Sequence, residues 1–132
     1  MEWKFNNGTP IYAQIVTQLS QRIASGAYAP GERLPSVRDL AADAGVNPNT
    51  MQRALAELER RELVHSERTS GRFITDDQDT LRSLHTQLAE RYISELFQKL
   101  YALGMTDGEI ITQIMERQKD MEGQKEESHG SH

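Results

Sequence analysis

Cysteine is absent from all 132 residues. That excludes disulfides and thiolate metal sites and fits a reducing compartment, so a cytoplasmic location is expected. No run of about 18 apolar residues occurs, and the N-terminus lacks the form of a signal peptide; neither a membrane span nor secretion is expected. Aromatic residues make up 6% of the chain and hydrophobic residues 36%. The core is therefore modest, and a second copy would help to cover the remaining apolar surface. Catalytic punctuation is missing too. There is no Gly-rich phosphate loop, no nucleophile motif and no His/Asp/Glu set at metal-ligand spacing, so the chain is not expected to be an enzyme, to take a cofactor or to hold a metal. Asp76, Asp77 and Asp79 begin like a calcium loop, but the required Gly and distal Glu do not follow. Internal repeats are absent.

An overall excess of positive charge is also lacking: the net charge is −5. Its distribution matters more than its total. Residues 1–75 hold nine Lys/Arg and eight Asp/Glu, whereas residues 76–132 hold six and twelve. The acid lies mostly in the C-terminal region. Phosphate binding depends on where the arginines stand, although a nearly neutral N-terminal half predicts weak non-specific binding to nucleic acid.

The most informative stretch runs from Leu34 to Ile74. Ser36 followed by Asp39, with Pro35 ahead, reads as a capped helix start. Val37, Leu40 and Ala41 share one face of that short helix, and Gly45 ends it. Asn47 caps a second helix whose first turn contains Pro48. Met51, Ala54, Leu55 and Leu58 recur there at helical spacing and predict a core-facing side. Asn49, Gln52, Arg53 and Ala56 occupy the other side. Alternation around a Gly-containing turn then predicts a hairpin over Leu63–Ile74, with Arg68 and Arg72 at its tip. The fold class expected is mainly α with a small β-hairpin: a winged helix-turn-helix, followed by a C-terminal helical hairpin for dimerisation.

That module places a helix in the DNA major groove, which gives the polar residues roles. Arg38 sits in the first turn of its helix, off the apolar face. The positive end of a helix dipole is a poor place for a lone structural cation, so an external phosphate is expected there. Asn47 is a cap first and a contact second. Asn49 and Thr50 suit base or phosphate contact near the helix start. Gln52 matches adenine in bidentate fashion, and Arg53 matches guanine or a phosphate. Arg68, Thr69, Ser70 and Arg72 are wing candidates for the minor groove or backbone. Arg33, just before the second helix, reads equally as a phosphate contact or as an exposed salt-bridge partner. A solvated helix face has the same composition as this contact set, and the hairpin that follows favours the DNA reading. Glu57, Glu59, Arg60, Arg61 and Glu62 read as a solvated helix end, and His65 as a strand residue.

The flanks complete the plan. Trp3 and Phe5 alternate with charged neighbours in a short extended segment, and Trp3 is expected to pack on its own domain or on a partner copy. Thr9 and Pro10 open a first helix with the spine Ile11, Ile15, Leu19 and Ile23; Gly26 closes it, and Pro30-Gly31 marks a loop. After the polar junction at residues 75–79, a helix of about 36 Å is expected over Thr80–Leu103. Its seam is Leu81, Leu84, Leu88, Tyr92, Leu96, Leu100 and Leu103, with Ile93, Phe97 and Tyr101 as a second strip. Gly104 stops it, Thr106 and Glu109 form a capping box, and a last helix over Asp107–Met121 presents Ile110, Ile111, Ile114 and Met115. The division expected is residues 1–75 for DNA binding, 76–121 for helical dimerisation and 122–132 as a disordered tail, with Ser128–His132 reading as a tag remnant. Leu81, Leu84, Leu88, Tyr92, Leu96, Leu100, Ile110 and Ile114 are the dimerisation set.

Several separated phrases in order, IYAQI, GERLPSVRDLA, VNPNTMQRALAELE and Gly71-Arg72-Phe73-Ile74, resemble the GntR family of bacterial transcription regulators over about Pro10–Ile74. The NPNT helix start and the short C-terminal region look like the YtrA-type subfamily. The resemblance implies a homodimer on an inverted-repeat operator of double-stranded DNA, a repressor more readily than an activator, a DNA contact at Arg38, and a transporter operon as target. It also sets differences: Pro48 and Gln52 stand where relatives commonly carry Arg, and Thr69 where their wings carry Gly. About fifty residues follow the wing, too few for the large ligand domain of other members. Any small-molecule effector, its existence and identity left open by the sequence, is expected at the helical dimer interface. The rival reading is a winged-helix protein–protein interaction module that does not bind DNA.

Overall fold

The computed structural model describes residues 2–130, with side chains described through Gln124. The chain divides into two compact units, Met1–Leu88 and Ala89–His132. The first holds α1 (Ile11–Ser25), α2 (Val37–Ala44), α3 (Pro48–Arg60), β1 (Val64–Glu67), β2 (Gly71–Ile74) and the start of α4 (Gln78–Ala102). The second holds the rest of α4 and α5 (Asp107–Gly130).

The helix ends form where their chemistry permits. Ser36 Oγ accepts from Asp39 N at 3.1 Å to start α2, and Asn47 Oδ1 accepts from Asn49 N at 2.8 Å to start α3 with Pro48 in its first turn. Asp77 caps α4 by accepting from the Thr80 amide at 3.3 Å and its hydroxyl at 2.6 Å, and these bonds hold its carboxyl below the usual range. Gly45 ends α2 at φ 70°, a backbone conformation that a side chain opposes. The same left-handed conformation falls on Glu62, at φ 64°, just after α3. Leu63 N bonds Leu58 O at 3.0 Å and Glu62 N bonds Glu59 O at 2.9 Å, closing α3 with a non-Gly residue where Gly is favoured.

The core of the first unit follows the periodicity except at Ile11, the expected first member of the α1 spine, which is exposed at the helix start. Ile15, Leu19 and Ile23 of α1 meet Leu40 and Ala41 of α2 and Met51, Ala54, Leu55 and Leu58 of α3, all buried, and Val64 and Ile74 of the hairpin close the base. Antiparallel register pairs Val64 with Ile74 and Glu67 with Gly71. A third segment was not foreseen. Residues 31–34 run beside β2, with Leu34 N bonding Arg72 O at 2.9 Å and Ile74 N bonding Glu32 O at 2.8 Å, and a bridge joins Arg33 to Phe73. The Pro30-Gly31 turn thus feeds a strand-like edge, because the buried backbone of β2 needs partners on both sides.

The N-terminal segment lies on its own domain. Gln14 and Gln18, one turn apart on α1, bond the backbone of Asn6 and Lys4 at 2.7–3.1 Å in both directions. Trp3 stacks on Phe5 with centroids 6.0 Å apart, lies under the Arg22 guanidinium at 4.0 Å and donates to Asp43 at 2.9 Å.

The seam expected for a partner needs correction at its start. Leu84 is buried in the core of the first unit, and Leu81 and Leu88 pack against it. Period alone identified an apolar face without saying which surface would cover it. In the second unit Thr106 and Glu109 form a reciprocal capping box, each bond 3.2 Å. Burial there concentrates at the turn: Ile110, expected in the dimerisation set, is instead fully buried within the chain, and Phe97, Leu100 and Met105 are half-buried. Tyr92, Ile93, Leu96, Ile111, Ile114 and Met115 stay exposed. The last helix continues to Gly130, past the expected end at Met121, so the segment read as a disordered tail is helical that far; His132 and Ser131 lie outside the described residues.

Candidate nucleic-acid interface

The amphipathic split of α3 creates the site. Its apolar residues are sealed in the core, and this orientation leaves Asn49, Gln52, Arg53 and Ala56 exposed on the other side. Gln52 and Arg53, whose exposure the DNA reading requires, are both open to solvent. Asn47 acts as the helix cap through its side chain, as its position predicted. Thr50 is half-buried.

Arg53 does not hang free. Its guanidinium lies 3.7 Å from the ring centroid of Tyr12. The negative face of the ring attracts the cation and restrains it at that position. Pro10, Ile11, Tyr12, Asn49, Thr50 and Arg53 line an open cleft of about 360 Å³ between the starts of α1 and α3. Arg38 is exposed in the first turn of α2, two residues beyond the cap at Ser36.

The wing brings the other candidates. Arg68, Thr69 and Ser70 form its exposed tip, between β1 and β2. Arg72, expected at that tip, sits instead within β2 opposite Ser66. Its Nε donates to Glu59 Oε1 at 2.8 Å, and its Nη2 donates to Gln52 Oε1 at 3.3 Å. Ser66 also donates its hydroxyl to Glu59. Burial pushes the Glu59 carboxyl upward, but these two donors outweigh it and hold the group below its ordinary range. Arg33 reaches the wing as well, through the unforeseen third segment. A Cβ added at Gly71, where φ is 103°, would lie 3.2 Å from Arg33 Nε.

Two participants escaped the sequence reading. Tyr12 looked like a flank of the α1 spine, and Glu59 like one member of a solvated charge run. Glu59 lies seven residues beyond Gln52, two turns along the same face, which was a usable signal. Its pairing with Arg72 crosses from helix to wing, and no local pattern carries that. The rest of the run behaves as expected: Glu57 takes bonds from Arg60 and Arg61, which lower its pKa to about 2. Among the described residues no cluster of His, Cys, Asp or Glu is arranged to hold a metal, and no helix is long and apolar enough to cross a membrane.

Comparison with known proteins agrees with this geometry. Residues 11–74 match the family model described as bacterial regulatory proteins, gntR family. The chain is 34% identical over 114 residues to the HTH-type transcriptional regulator YhcF of Bacillus subtilis, covering 86% of this chain and 94% of that protein. It is 40% identical over 74 residues to the transcriptional repressor YtrA of the same organism, covering 56% and 57%. Among solved structures, a GntR family transcriptional regulator from Listeria monocytogenes superposes with a TM-score of 0.76 at 35% identity, covering 85% of this chain and 98% of that one. The DNA-binding domain of AraR in complex with operator ORX1 superposes with a TM-score of 0.53 at 26% identity, covering 57% and 96%.

Proposed function

The chain belongs to the gntR family of bacterial regulatory proteins, and we propose that it is not an enzyme but a cytoplasmic, DNA-binding repressor acting as a homodimer. Two copies of α3 enter successive major grooves of an inverted-repeat operator, and the wing tips lie along the flanking backbone or minor groove. Arg38, Asn49, Thr50, Gln52 and Arg53 contact DNA from the helices, with Asn47 in a capping role. Arg68, Thr69 and Ser70 contact it from the wing, and Arg33 and Arg72 support them at its base. The carrying observation is the solvent-open side of α3, with its Asn, Gln and Arg residues opposite a sealed apolar side.

Dimerisation is assigned to the second unit. Tyr92, Ile93, Leu96, Ile111, Ile114 and Met115 are exposed at 41–63%, and large apolar side chains left open on neighbouring helices are what a partner surface would cover. Repression is favoured by the likeness to YtrA, a named repressor, and a transporter operon is the target proposed. Control by a small molecule is placed at the helical interface, where a ligand would alter the spacing of the two DNA-binding heads.

The test is selection of genomic fragments with the purified full chain, followed by footprinting and sedimentation. The expected result is one protected inverted repeat, bound two chains per site, with affinity falling steeply as salt rises. Absence of salt-dependent binding to any duplex would leave the winged helix as a protein–protein module. Protection of a single half-site by one chain would remove the dimer.

A further inference from the structure

Gln52 is held from behind. Arg72 Nη2 donates to its Oε1 at 3.3 Å, while Arg72 Nε donates to Glu59 Oε1 at 2.8 Å. A guanidinium carries donors only. The Gln52 carboxamide must therefore turn its oxygen toward Arg72 and its NH2 away, because the opposite rotamer sets donors against donors. Glu59 fixes the far side of Arg72, and the pair is largely shielded, with side-chain exposures of 32% and 22%. A charge-assisted bond of this length orients the planar fork more firmly than a neutral bond does.

Orientation decides what Gln52 can read. A glutamine with both ends available bonds adenine twice, its oxygen accepting from N6 and its NH2 donating to N7. Gln52 presents its two N–H donors outward, while its oxygen is turned toward Arg72 with one of its two lone pairs engaged. Guanine offers acceptors at O6 and N7, and thymine at O4; adenine offers N7 alone and sets its N6 donor beside it, which an outward-facing NH2 opposes. We propose that Arg72, anchored by Glu59, is a specificity-determining positioning residue that presets Gln52 as a hydrogen-bond donor, so that this position of α3 selects guanine or thymine over adenine. The inference rests on α3 being the base-reading helix, and it replaces the adenine contact expected from residue type alone.

The test enriches duplexes from a pool randomised across the operator, using the full chain and the variants Gln52→Ala, Arg72→Met, Glu59→Gln and the double variant Arg72→Met/Gln52→Ala. Gln52→Ala identifies the operator position that Gln52 reads, as the one whose preference disappears. At that position the parent protein is expected to enrich guanine or thymine. Arg72→Met should raise adenine there by about fivefold, the low end of what one base contact contributes to discrimination. Glu59→Gln should shift it in the same direction by less. With Gln52 already replaced, Arg72→Met should change nothing further at that position, since the two residues act as one unit. Adenine preferred by the parent, a preference unmoved by Arg72→Met, a shift that persists without Gln52, or no position responding to Gln52→Ala would each overturn the proposal. Should Arg72→Met fail to fold by circular dichroism, Glu59→Gln carries the same comparison. Enrichment of no duplex at all by the parent would overturn the base-reading role of α3 itself, an outcome distinct from binding with unaltered preference.

Discussion

The two units of this chain solve the burial of apolar surface in opposite ways. In Met1–Leu88 the apolar faces of α1, α2 and α3 converge, and Met51, Ala54, Leu55 and Leu58 are all at 0% exposure. In Ala89–His132 Ile110 is sealed, yet Leu96 and Ile114 remain 43% and 41% exposed. Both regions have helical apolar periodicity and well-made caps. Three helices and a hairpin can enclose a core within one chain, whereas two helices joined by a turn leave much of their apolar stripes facing water. The first region thus encloses its own core and leaves a polar side open, whereas the second leaves an apolar stripe that the proposed dimer would cover.

Replacing Leu96 and Ile114 together with Asp tests that contrast most severely. Burying carboxylates in the proposed dimer interface is prohibitive, so sedimentation should find a monomer in place of the dimer expected of the parent, with the helical signal of the first unit retained. A dimer that survives would show that the exposed stripe is not the contact. Leu55→Ala probes the opposite region: denaturant unfolding should lose about 2–5 kcal/mol, because the surrounding core cannot collapse fully into the space. Equal loss from Ile114→Ala measured on a monomeric protein would erase the distinction between the units.

Smaller effects refine the polar side. Arg53→Ala should cost about 1–3 kcal/mol of operator affinity and relax base preference, whereas Arg38→Ala should weaken all duplexes alike and lower the salt slope by about one. Fluorescence anisotropy across a salt series separates the two. Glu62→Gly should stabilise the first unit by about 0.5–1 kcal/mol in thermal unfolding, since it relieves a left-handed backbone at the price of a more flexible unfolded chain. At the smallest end stands Glu57. Its carboxyl is depressed to about 2 by Arg60 and Arg61. Any stability it supplies is therefore present above the ordinary Glu range and lost as pH falls toward 2. Because the cluster is exposed and screened, Glu57→Gln should barely move the midpoint at pH 7.

Much of this was legible in the residues themselves. Ser36, Asn47 and Thr106 announced helix starts through side chains that cap adjacent amides, and period 3.6 picked out the buried side of α3. Such signals are local: a cap reaches three residues and a helical face repeats within one turn. The fates of Leu81, Leu84 and Leu88 were not legible, since an apolar stripe carries no record of the surface that covers it. The third segment beside β2 was hidden for the same reason. Its hydrogen bonds join residues 31–34 to residues 72–74, and backbone pairing is indifferent to side-chain identity.

By itself the sequence determined the elements, the caps, the sealed and open sides of α3 and the concentration of acid after residue 75, all consequences of short-range sterics, hydrogen bonding and composition. Only the tertiary structure decided that Arg53 rests on Tyr12 and that Arg72 turns from the wing toward Glu59 and Gln52. Those contacts depend on how separate elements dock. Docking is set by core packing across the whole first unit, and a guanidinium takes whichever acceptor that packing brings within reach.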